Sequence, residues 1–440
     1  MLHFRWIALH SLLFLVVFNS ICFGDFHVYL NGLQCFDKTE SDDDDIYLDV
    51  SLDGKVLRYP NKGEVGMSPS GSKRFWMTGF NWNVKKSISI FVWDKDGGLR
   101  GKDDHIGTIT INEKTVEGES SNTLTGSNTK YVIRYSKETR PERDRRVPQD
   151  FSIFDKKYNL LSDPVGDQEN TSACVAYSTS AALGTHFVRQ YLKVNLSGKP
   201  SPDLSKFSKA SMNMFDAAAL YELRSKQYDT LVKTYGSYPK PGSKEWNNTG
   251  WNFPLALELA KTQTVPFKYG DKNFGVRVKS WGKIFKTGKV FENSTLSSNG
   301  TEIKANRFTG VSEMRRLLAM GLPLLADYDV YEDFSVFPKG PGGIYYGRIG
   351  EKRTGGHAVM IVGYNDPGPK TPGATYWEVQ NSWGKNWGNG GFFNIKAGAV
   401  SIDDVMYYIQ DYYLCDLNGK AVSQAEGIRL LNSAIDSISK

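Results

Sequence analysis

A short charged segment, KETRPERDRRVPQ at residues 137–149, divides this 440-residue chain into two parts with different patterns. The segment contains two prolines, and Val147 is its only apolar residue. It therefore has no hydrophobic face to bury and is typical of a linker. We predict two units with separate cores, one on each side of it.

The part ahead of the linker alternates between apolar and polar residues. IYLDVSLDG from Ile46, SISIFVWD from Ser87 and TITI from Thr108 each repeat with a period of two. Clusters of Gly, Asn and Asp separate these runs, and no window has the period of an amphipathic helix. Short alternating runs of this kind indicate strands of a sandwich. Residues 25–136 are therefore predicted to form an all-β sandwich domain.

The part after the linker mixes helical and strand patterns. ACVAYSTSAALGTHFVRQYLKV, NFPLALELAK and SEMRRLLAMG have helical patterns, whereas HAVMIVGY, TYWEVQNSW and GGFFNIKA have strand patterns. Helices come first and strands later, so the pattern favours an α+β fold over an alternating one. We assign residues 147–440 to this second domain.

The N-terminus has the pattern of a secretory signal peptide. An apolar stretch from Ile7 to Phe23 follows Arg5, and small residues at Cys22 and Gly24 suit signal peptidase. The stretch is short for a membrane span and contains polar residues, which disfavours an anchor. Residues 1–24 are predicted to be removed, which implies a secreted or endolysosomal protein.

Overall composition excludes several classes of function. The formal net charge of +6 is not concentrated in a basic patch, so nucleic acid is not an expected partner. Three cysteines remain after the signal, namely Cys35, Cys174 and Cys415. This number excludes a disulfide-built scaffold and a four-cysteine zinc site, but a bond between Cys35 and Cys415 stays open. The predicted glycosylation sites are Asn195, Asn247, Asn293 and Asn299; a fifth sequon, at Asn170, is expected to stay unused.

Cys174 is the candidate nucleophile because it opens the first predicted helix. Backbone N–H groups at a helix N-terminus favour a thiolate. A thiolate needs a basic partner, and only one of the six histidines qualifies, His357. The others leave with the signal, lie in the sandwich, or sit about 18 Å along the same helix; they are His3, His10, His27, His105 and His186.

Three further side chains complete the candidate catalytic site. Asn381 can accept a hydrogen bond from one nitrogen of His357 and so orient the ring. Trp383 can cover that hydrogen bond. Gln168, six residues before Cys174, can donate with the Cys174 backbone N–H to an oxyanion.

Three motifs in order resemble the papain and cathepsin family of cysteine peptidases: GDQENTSACVAYS, GGHAVMIVGY and NSWGKNWGNGGFFNI. The resemblance implies a two-lobed fold, with a helical lobe, an antiparallel β lobe and a cleft between them. It also implies hydrolysis of protein or peptide substrates through an acyl-thioenzyme, with no cofactor for catalysis. The family usually has Gly-Ser-Cys-Trp where this chain has Ser172-Ala173-Cys174-Val175. Thr171 replaces a usual cysteine, so one disulfide of the helical lobe is missing. A non-catalytic papain-like binding protein therefore remains an alternative.

The sandwich also carries a resemblance of its own. SDDDDIYLDV and WDKDGGLRGKDDHIGTI resemble synaptotagmin-type calcium- and phospholipid-binding domains. The resemblance implies calcium, and possible binding to a membrane surface, with carboxylates suited to calcium. The candidate ligands are Asp94, Asp96, Asp103 and Asp104, with acids of Asp42 to Asp45 opposite. Solvated loop acids that bind no metal are the alternative.

The charged segment contains a candidate processing site. Arg143-Asp144-Arg145-Arg146 is a paired-basic string, so we expect a zymogen cut after Arg146. A dense solvated charge run is the alternative. Residues 137–146 then form the linker, and the sandwich takes the place of the helical propeptide that the family usually has. It either blocks the cleft or only targets the protein.

Overall fold

The computed structural model describes fifteen segments of the chain, which are residues 26–38, 43–95, 102–126, 129–139, 147–153, 165–191, 215–268, 274–286, 289–293, 301–304, 310–337, 343–368, 373–423, 425–427 and 429–430. Several predictions fall outside these residues: the signal peptide, Asp42, Asp96, Arg146, Asn195 and Asn299. Within the described residues, no helix has the length and apolar character needed to cross a membrane.

The N-terminal part is all-β, as the alternating pattern predicts. Its strands are β1 (Phe26–Asp37), β2 (Asp44–Leu52), β3 (Lys55–Tyr59), β4 (Val65–Met67), β5 (Phe75–Val84), β6 (Ser87–Asp94), β7 (Asp104–Asn112), β8 (Gly118–Gly126) and β9 (Thr129–Glu138). They form two sheets, ordered β5-β1-β9-β8 and β3-β2-β6-β7, with β4 paired to β2. Every second residue points inward, so Val28, Val50 and Ile90 meet in one core.

Strands β1 and β9 differ from the others because both of their faces are buried. Val28 and Leu30 point into the sandwich core, yet their neighbours Tyr29 and Asn31 are buried as well. In β9, Arg134 and Ser136 are buried although they alternate with the core residues Ile133 and Tyr135. The outer face of this sheet is therefore covered by the rest of the chain.

The second part contains more strand than helix. Its described helices are α1 (Cys174–Tyr191), α2 (Ala217–Leu223), α3 (Tyr228–Tyr235), α4 (Lys244–Asn247), α5 (Phe253–Thr262) and α6 (Gly310–Ala319). Its described strands are β10 (Asp150–Ser152), β11 (Val265–Pro266), β12 (Phe274–Phe285), β13 (Lys289–Asn293), β14 (Thr301–Lys304), β15 (Leu324–Tyr331), β16 (Ile344–Tyr345), β17 (Arg353–Asn365), β18 (Tyr376–Gln380), β19 (Phe392–Lys396) and β20 (Val405–Asp416). These strands form an 11-stranded sheet ordered β14-β13-β12-β20-β15-β17-β18-β19-β16, with β10 on β17 and β11 on β12.

Helix α1 packs against β17 in the core of the second part. Small residues such as Ala181 and Ala182 are buried, which lets the helix approach the sheet closely. The Ser178 hydroxyl donates to the Ala358 carbonyl at 3.1 Å. One continuous apolar cluster joins helices and strands here, so the division into two lobes stays a prediction. This packing places the first residue of α1 beside the strand that carries His357.

Candidate active site

Cys174 is the first residue of α1, as the sequence predicts. The Ser172 N–H donates to the Asn247 carbonyl at 2.9 Å, which fixes the approach to the helix. The Cys174 side chain is partly exposed. Burial raises the pKa of its thiol, while a hydrogen bond with the Ala358 backbone lowers it. The sulfur therefore lies beside the residue that follows His357.

His357 is held by Asn381 and covered by Trp383. Its Nε2 atom is 2.7 Å from Asn381 Oδ1, and the Trp383 ring lies 4.6 Å away between centroids, tilted by 30°. Tyr328, opposite His357 on β15, contacts the imidazole edge-on. Asn381 follows β18, the strand next to β17, which explains how residues 24 positions apart in the chain meet. Because Nε2 contacts Asn381, Nδ1 is the ring nitrogen left as the candidate partner of Cys174.

Burial favours the neutral form of both members of the candidate pair. It raises the pKa of Cys174 and lowers the pKa of His357 to about 4, against which the Asn381 hydrogen bond acts. Desolvation therefore favours a neutral thiol beside a neutral imidazole. A thiolate–imidazolium pair then depends on the attraction between the two charges and on the N-terminus of α1.

Gln168 connects the segment before Cys174 to the segment after Asn381. Its Nε2 donates to the Thr171 carbonyl at 2.6 Å, and its Oε1 accepts from the Ser382 hydroxyl at 2.5 Å. Its backbone N–H donates to the Ser382 carbonyl at 2.8 Å. One of the two amide N–H groups is thus used inside the loop, which leaves the other as the candidate oxyanion donor.

Arg224 supports the same loop, although no sequence motif includes it. This side chain is fully buried and donates to the carbonyls of Thr249, at 2.7 Å, and Trp246. The guanidinium stacks on Tyr221 at 3.5 Å and on Trp246 at 3.9 Å. It thereby fixes the turn whose Asn247 carbonyl binds Ser172. No spacing rule would select this arginine, because its partners are backbone atoms of a distant turn.

An acidic pocket of about 230 Å³ is lined by Tyr328, the residue whose ring contacts His357. Its lining residues are Asp327, Tyr328, Asp329, Ser401, Asp404, Val405 and Tyr407. Burial raises the pKa of Asp327, and the charges of Asp329 and Asp404 act in the same direction. The Asp327 charge also raises the pKa of Cys174, which places the pocket within electrostatic reach of the thiol. No sequence motif predicts this cluster, because its members come from two separate segments.

Those predicted calcium ligands that the structure describes lie at one end of the sandwich. Asp94 accepts from the Asp45 N–H at 2.9 Å. Asp104 lies opposite Asp94 in the register of β6 and β7. Tyr47 donates to Asp103 at 2.8 Å. One oxygen of Asp94 and one of Asp103 are therefore engaged by protein donors. No group of three or more His, Cys, Asp or Glu residues in the described segments could hold a metal ion. The described residues therefore do not fit a calcium site.

The remaining predicted positions are separate from the candidate active site. Cys35 is buried in the sandwich core and Cys415 is buried near Thr264, and both are free, so they are not joined here. The Asn247 side chain is exposed, as is Asn170 beside the Cys174 loop. A glycan on either residue would sit near the nucleophile segment.

Comparison with known proteins gives one family match. Residues 237–410 match the sequence model described as "Papain family cysteine protease". This range includes His357, Asn381 and Trp383 and starts after Cys174 and Gln168.

Curated relatives carry corresponding names. "Cathepsin B-like CP3" of Giardia intestinalis is 42% identical over 80 residues, 18% of this chain and 24% of the relative. "Cathepsin B-like CP2" of the same organism is 34% identical over 167 residues, 37% of this chain and 50% of the relative. The "Gut-specific cysteine proteinase" of Caenorhabditis elegans is 42% identical over 76 residues, 17% and 21% of the two chains. The chain thus spans between 21% and 50% of the length of these three relatives.

A solved structure, "proCathepsin B S9 from Trypanosoma congolense", aligns with 61% of this chain and 80% of its own at 16% identity and a TM-score of 0.37. The likeness in sequence is more specific, because it includes the segment with the candidate base and its orienting amide. Over residues 237–410 the chain is therefore similar to papain-family cysteine proteases.

Proposed function

We propose that this protein hydrolyses peptide bonds with Cys174 as nucleophile and His357 as general base and acid. The Cys174 sulfur attacks the scissile carbonyl, and its proton passes to His357 Nδ1 and then to the leaving amine. Water then cleaves the acyl-thioenzyme and restores the thiol. Asn381 and Trp383 keep the imidazole oriented, while the Cys174 N–H and Gln168 stabilise the oxyanion. The observation that carries this proposal is the 2.7 Å contact between His357 Nε2 and Asn381 Oδ1 beside the start of α1.

The acidic pocket supports a substrate class for this reaction. Three carboxylates line a space large enough for one long side chain, and one of them, Asp329, is already paired with Arg353 at 2.6 Å. The charges that face the space are therefore those of Asp327 and Asp404. A lysine or arginine side chain of a bound peptide would compensate these charges. We therefore propose protein or peptide substrates that place a basic residue in this pocket.

Hydrolysis of fluorogenic peptides tests the proposal. The full chain should cleave a peptide with arginine close to the scissile bond more efficiently than its leucine counterpart. Cys174→Ala should abolish cleavage, whereas Cys415→Ala, which removes a buried thiol elsewhere, should retain it. Binding of the peptide without turnover would support the non-catalytic alternative. That alternative was raised by the unusual residues around Cys174.

The segment after the predicted processing site supports cleavage in the linker. The Pro148 carbonyl accepts from the Tyr364 hydroxyl at 3.1 Å, and the Gln149 carbonyl accepts from the Asp366 N–H at 2.8 Å. These bonds hold the chain immediately after Val147, so a cut after Arg146 would leave an anchored new N-terminus. We propose processing there, in a secreted or endolysosomal glycoprotein, and N-terminal sequencing of the secreted form tests it.

Calcium and membrane binding by the sandwich remain predictions. Their support is that the acids of β2, β6 and β7 meet at one end, although one oxygen of Asp94 and one of Asp103 accept from protein donors. Calorimetry on the full chain, with Asp94→Asn as comparison, tests calcium binding. Liposome sedimentation with and without chelator tests the membrane prediction.

A further inference from the structure

The covered outer face of the β5-β1-β9-β8 sheet is fitted to the second part of the chain by close backbone approach. Ile349 is only 1% exposed, yet it belongs to neither of the two main apolar cores. Its side chain lies against Gly32 of β1, where an added Cβ would come within 2.6 Å of Ile349 Cδ1. On the other side, a Cβ at Gly347 would come within 2.8 Å of Asn31 and closer still to Glu119. Each part thus has a glycine where the other inserts a side chain.

Arginines of the sandwich add polar contacts at the same place. Arg134 Nε donates to the Ile349 carbonyl at 2.7 Å, and its Nη2 atom lies 3.2 Å from a Glu351 carboxylate oxygen. Burial lowers the pKa of Arg134, which reflects loss of water around its charge. Arg74 pairs with Glu332 at 3.2 Å. Separation of the two parts would break these bonds and expose Ile349.

A second group of contacts surrounds Tyr29, which is fully buried. Its ring lies 6.0 Å from that of Tyr346, and Lys396 Nζ lies 4.7 Å above it. Glu138 accepts from the Tyr29 hydroxyl at 2.6 Å and pairs with Lys396 at 3.2 Å. Apolar and charged contacts are therefore combined across the same boundary, as in stable interfaces.

These contacts define a docking face on the second part, formed by Glu332, residues 346–351 and Lys396. His357 lies farther along β17, Cys174 lies on α1, and Asn381 lies after β18, so the candidate catalytic side chains are not part of the docking face. We propose that the sandwich is a permanent subunit: after cleavage of the linker it stays bound non-covalently at the docking face and leaves Cys174 accessible. The proposal rests on the proposed function for the cleavage of the linker and for the role of Cys174, but the docking face itself does not depend on either.

Cleavage at a chosen site tests whether the sandwich stays bound. Residues 140–146 of the full chain are replaced by the recognition sequence of a site-specific protease, and the cut protein is analysed by size-exclusion chromatography. At about 1 μM protein, a concentration that retains complexes with a Kd well below ~1 μM, both fragments should co-elute as a 1:1 complex. Separation of the two fragments would overturn the proposal.

Matched variants locate the interface. Ile349→Asp places a charge against Gly32 and should make the cut fragments separate, whereas Val56→Asp, at a 64% exposed position of β3, should not. Arg134→Ala gives an independent test if Ile349→Asp does not fold, and it should weaken co-elution. Co-elution of every variant would show that another surface holds the fragments and would contradict the docking face.

Labelling by an epoxide thiol inhibitor tests access to Cys174. Cut and uncut protein should react at rates within about threefold of each other, a difference below 1 kcal/mol. A tenfold or greater rise in the labelling rate after cutting would contradict the claim that the sandwich leaves Cys174 accessible. If neither form reacts, the proposed function and the accessibility claim both fail, whereas co-elution still decides the docking claim.

Discussion

Arg224 offers a test of how the segment before Cys174 is positioned. The change Arg224→Met keeps a long side chain but removes the charge and every donor. It breaks the bonds to the Thr249 and Trp246 carbonyls and to the Tyr238 hydroxyl, at 2.7 Å for Thr249 and 3.2 Å for Tyr238. Unsatisfied buried acceptors cost about 1–3 kcal/mol each. Relief of the buried charge offsets part of this loss, so we expect unfolding to become easier by roughly 2–4 kcal/mol.

The same change should affect catalysis more than a general loss of stability would. The turn at Asn247 accepts from Ser172, two residues before Cys174, at 2.9 Å. Because displacement of a nucleophile by about 1 Å can cost on the order of 100-fold in rate, we expect kcat to fall 10- to 100-fold under conditions where Arg224→Met is still folded. KM should change little, since the acidic pocket is formed by other segments.

Urea unfolding and steady-state kinetics on the same samples provide the readouts. Arg316→Met is the matched control, because Arg316 is more exposed and pairs only locally with Glu313; it should shift unfolding by less than about 0.5 kcal/mol and leave kcat unchanged. Arg224→Lys should fall between the two, since an ammonium reaches fewer acceptors. The reasoning is refuted if Arg224→Met unfolds and turns over like the parent protein.

Three further changes test the pocket, the imidazole and its titration. Asp327→Asn should lower kcat/KM about tenfold for an arginine peptide, the effect of ~1.4 kcal/mol, and leave the leucine peptide unchanged; equal loss for both would contradict the acidic pocket. Asn381→Ala should lower kcat by roughly 10- to 100-fold, because the imidazole loses its orienting acceptor, and an unchanged kcat would argue against that role. In a Cys174→Ala background, the pKa of His357 near 4 when folded and about 6.5 when unfolded means that the unfolded state takes up the proton first. Stability should therefore be complete above pH 6.5 and fall by roughly 3 kcal/mol towards pH 4, and urea midpoints that move equally in the additional His357→Gln variant would contradict this.

Local patterns in the sequence were enough to predict the β-rich first part and the elements around Cys174. The alternation in SISIFVWD corresponds to β6, and the small-residue segment that starts at Cys174 corresponds to α1. The proximity of His357 to Asn381 and Trp383 also agrees with the ordered motifs. These features could be predicted because strands and helices have characteristic periods, and because only a few residue types can serve as nucleophile, base and orienting group.

Other features depend on contacts between distant segments. Alternation along β1 and β9 cannot tell a face that meets water from one that meets another part of the chain, so Arg134 and Tyr29 gave no sign of the docking face. Ile349 is a single apolar residue in a loop, and its burial follows only from the position of Gly32. The acids of the sandwich were predicted as calcium ligands from a resemblance and from their clustering in two loops, a pattern that cannot show that Asp103 accepts from Tyr47 and Asp94 from the backbone N–H of Asp45.

Mass-spectrometric mapping of an epoxide thiol inhibitor on the full chain tests the central claim most directly. The account predicts one covalent adduct, on the peptide that contains the partly exposed Cys174, and none on Cys35 or Cys415, which are fully buried. The adduct should form much more slowly in His357→Ala, because the sulfur then has no base. Absence of an adduct on Cys174, in a sample that retains its fold, would contradict the assignment of this residue as the nucleophile.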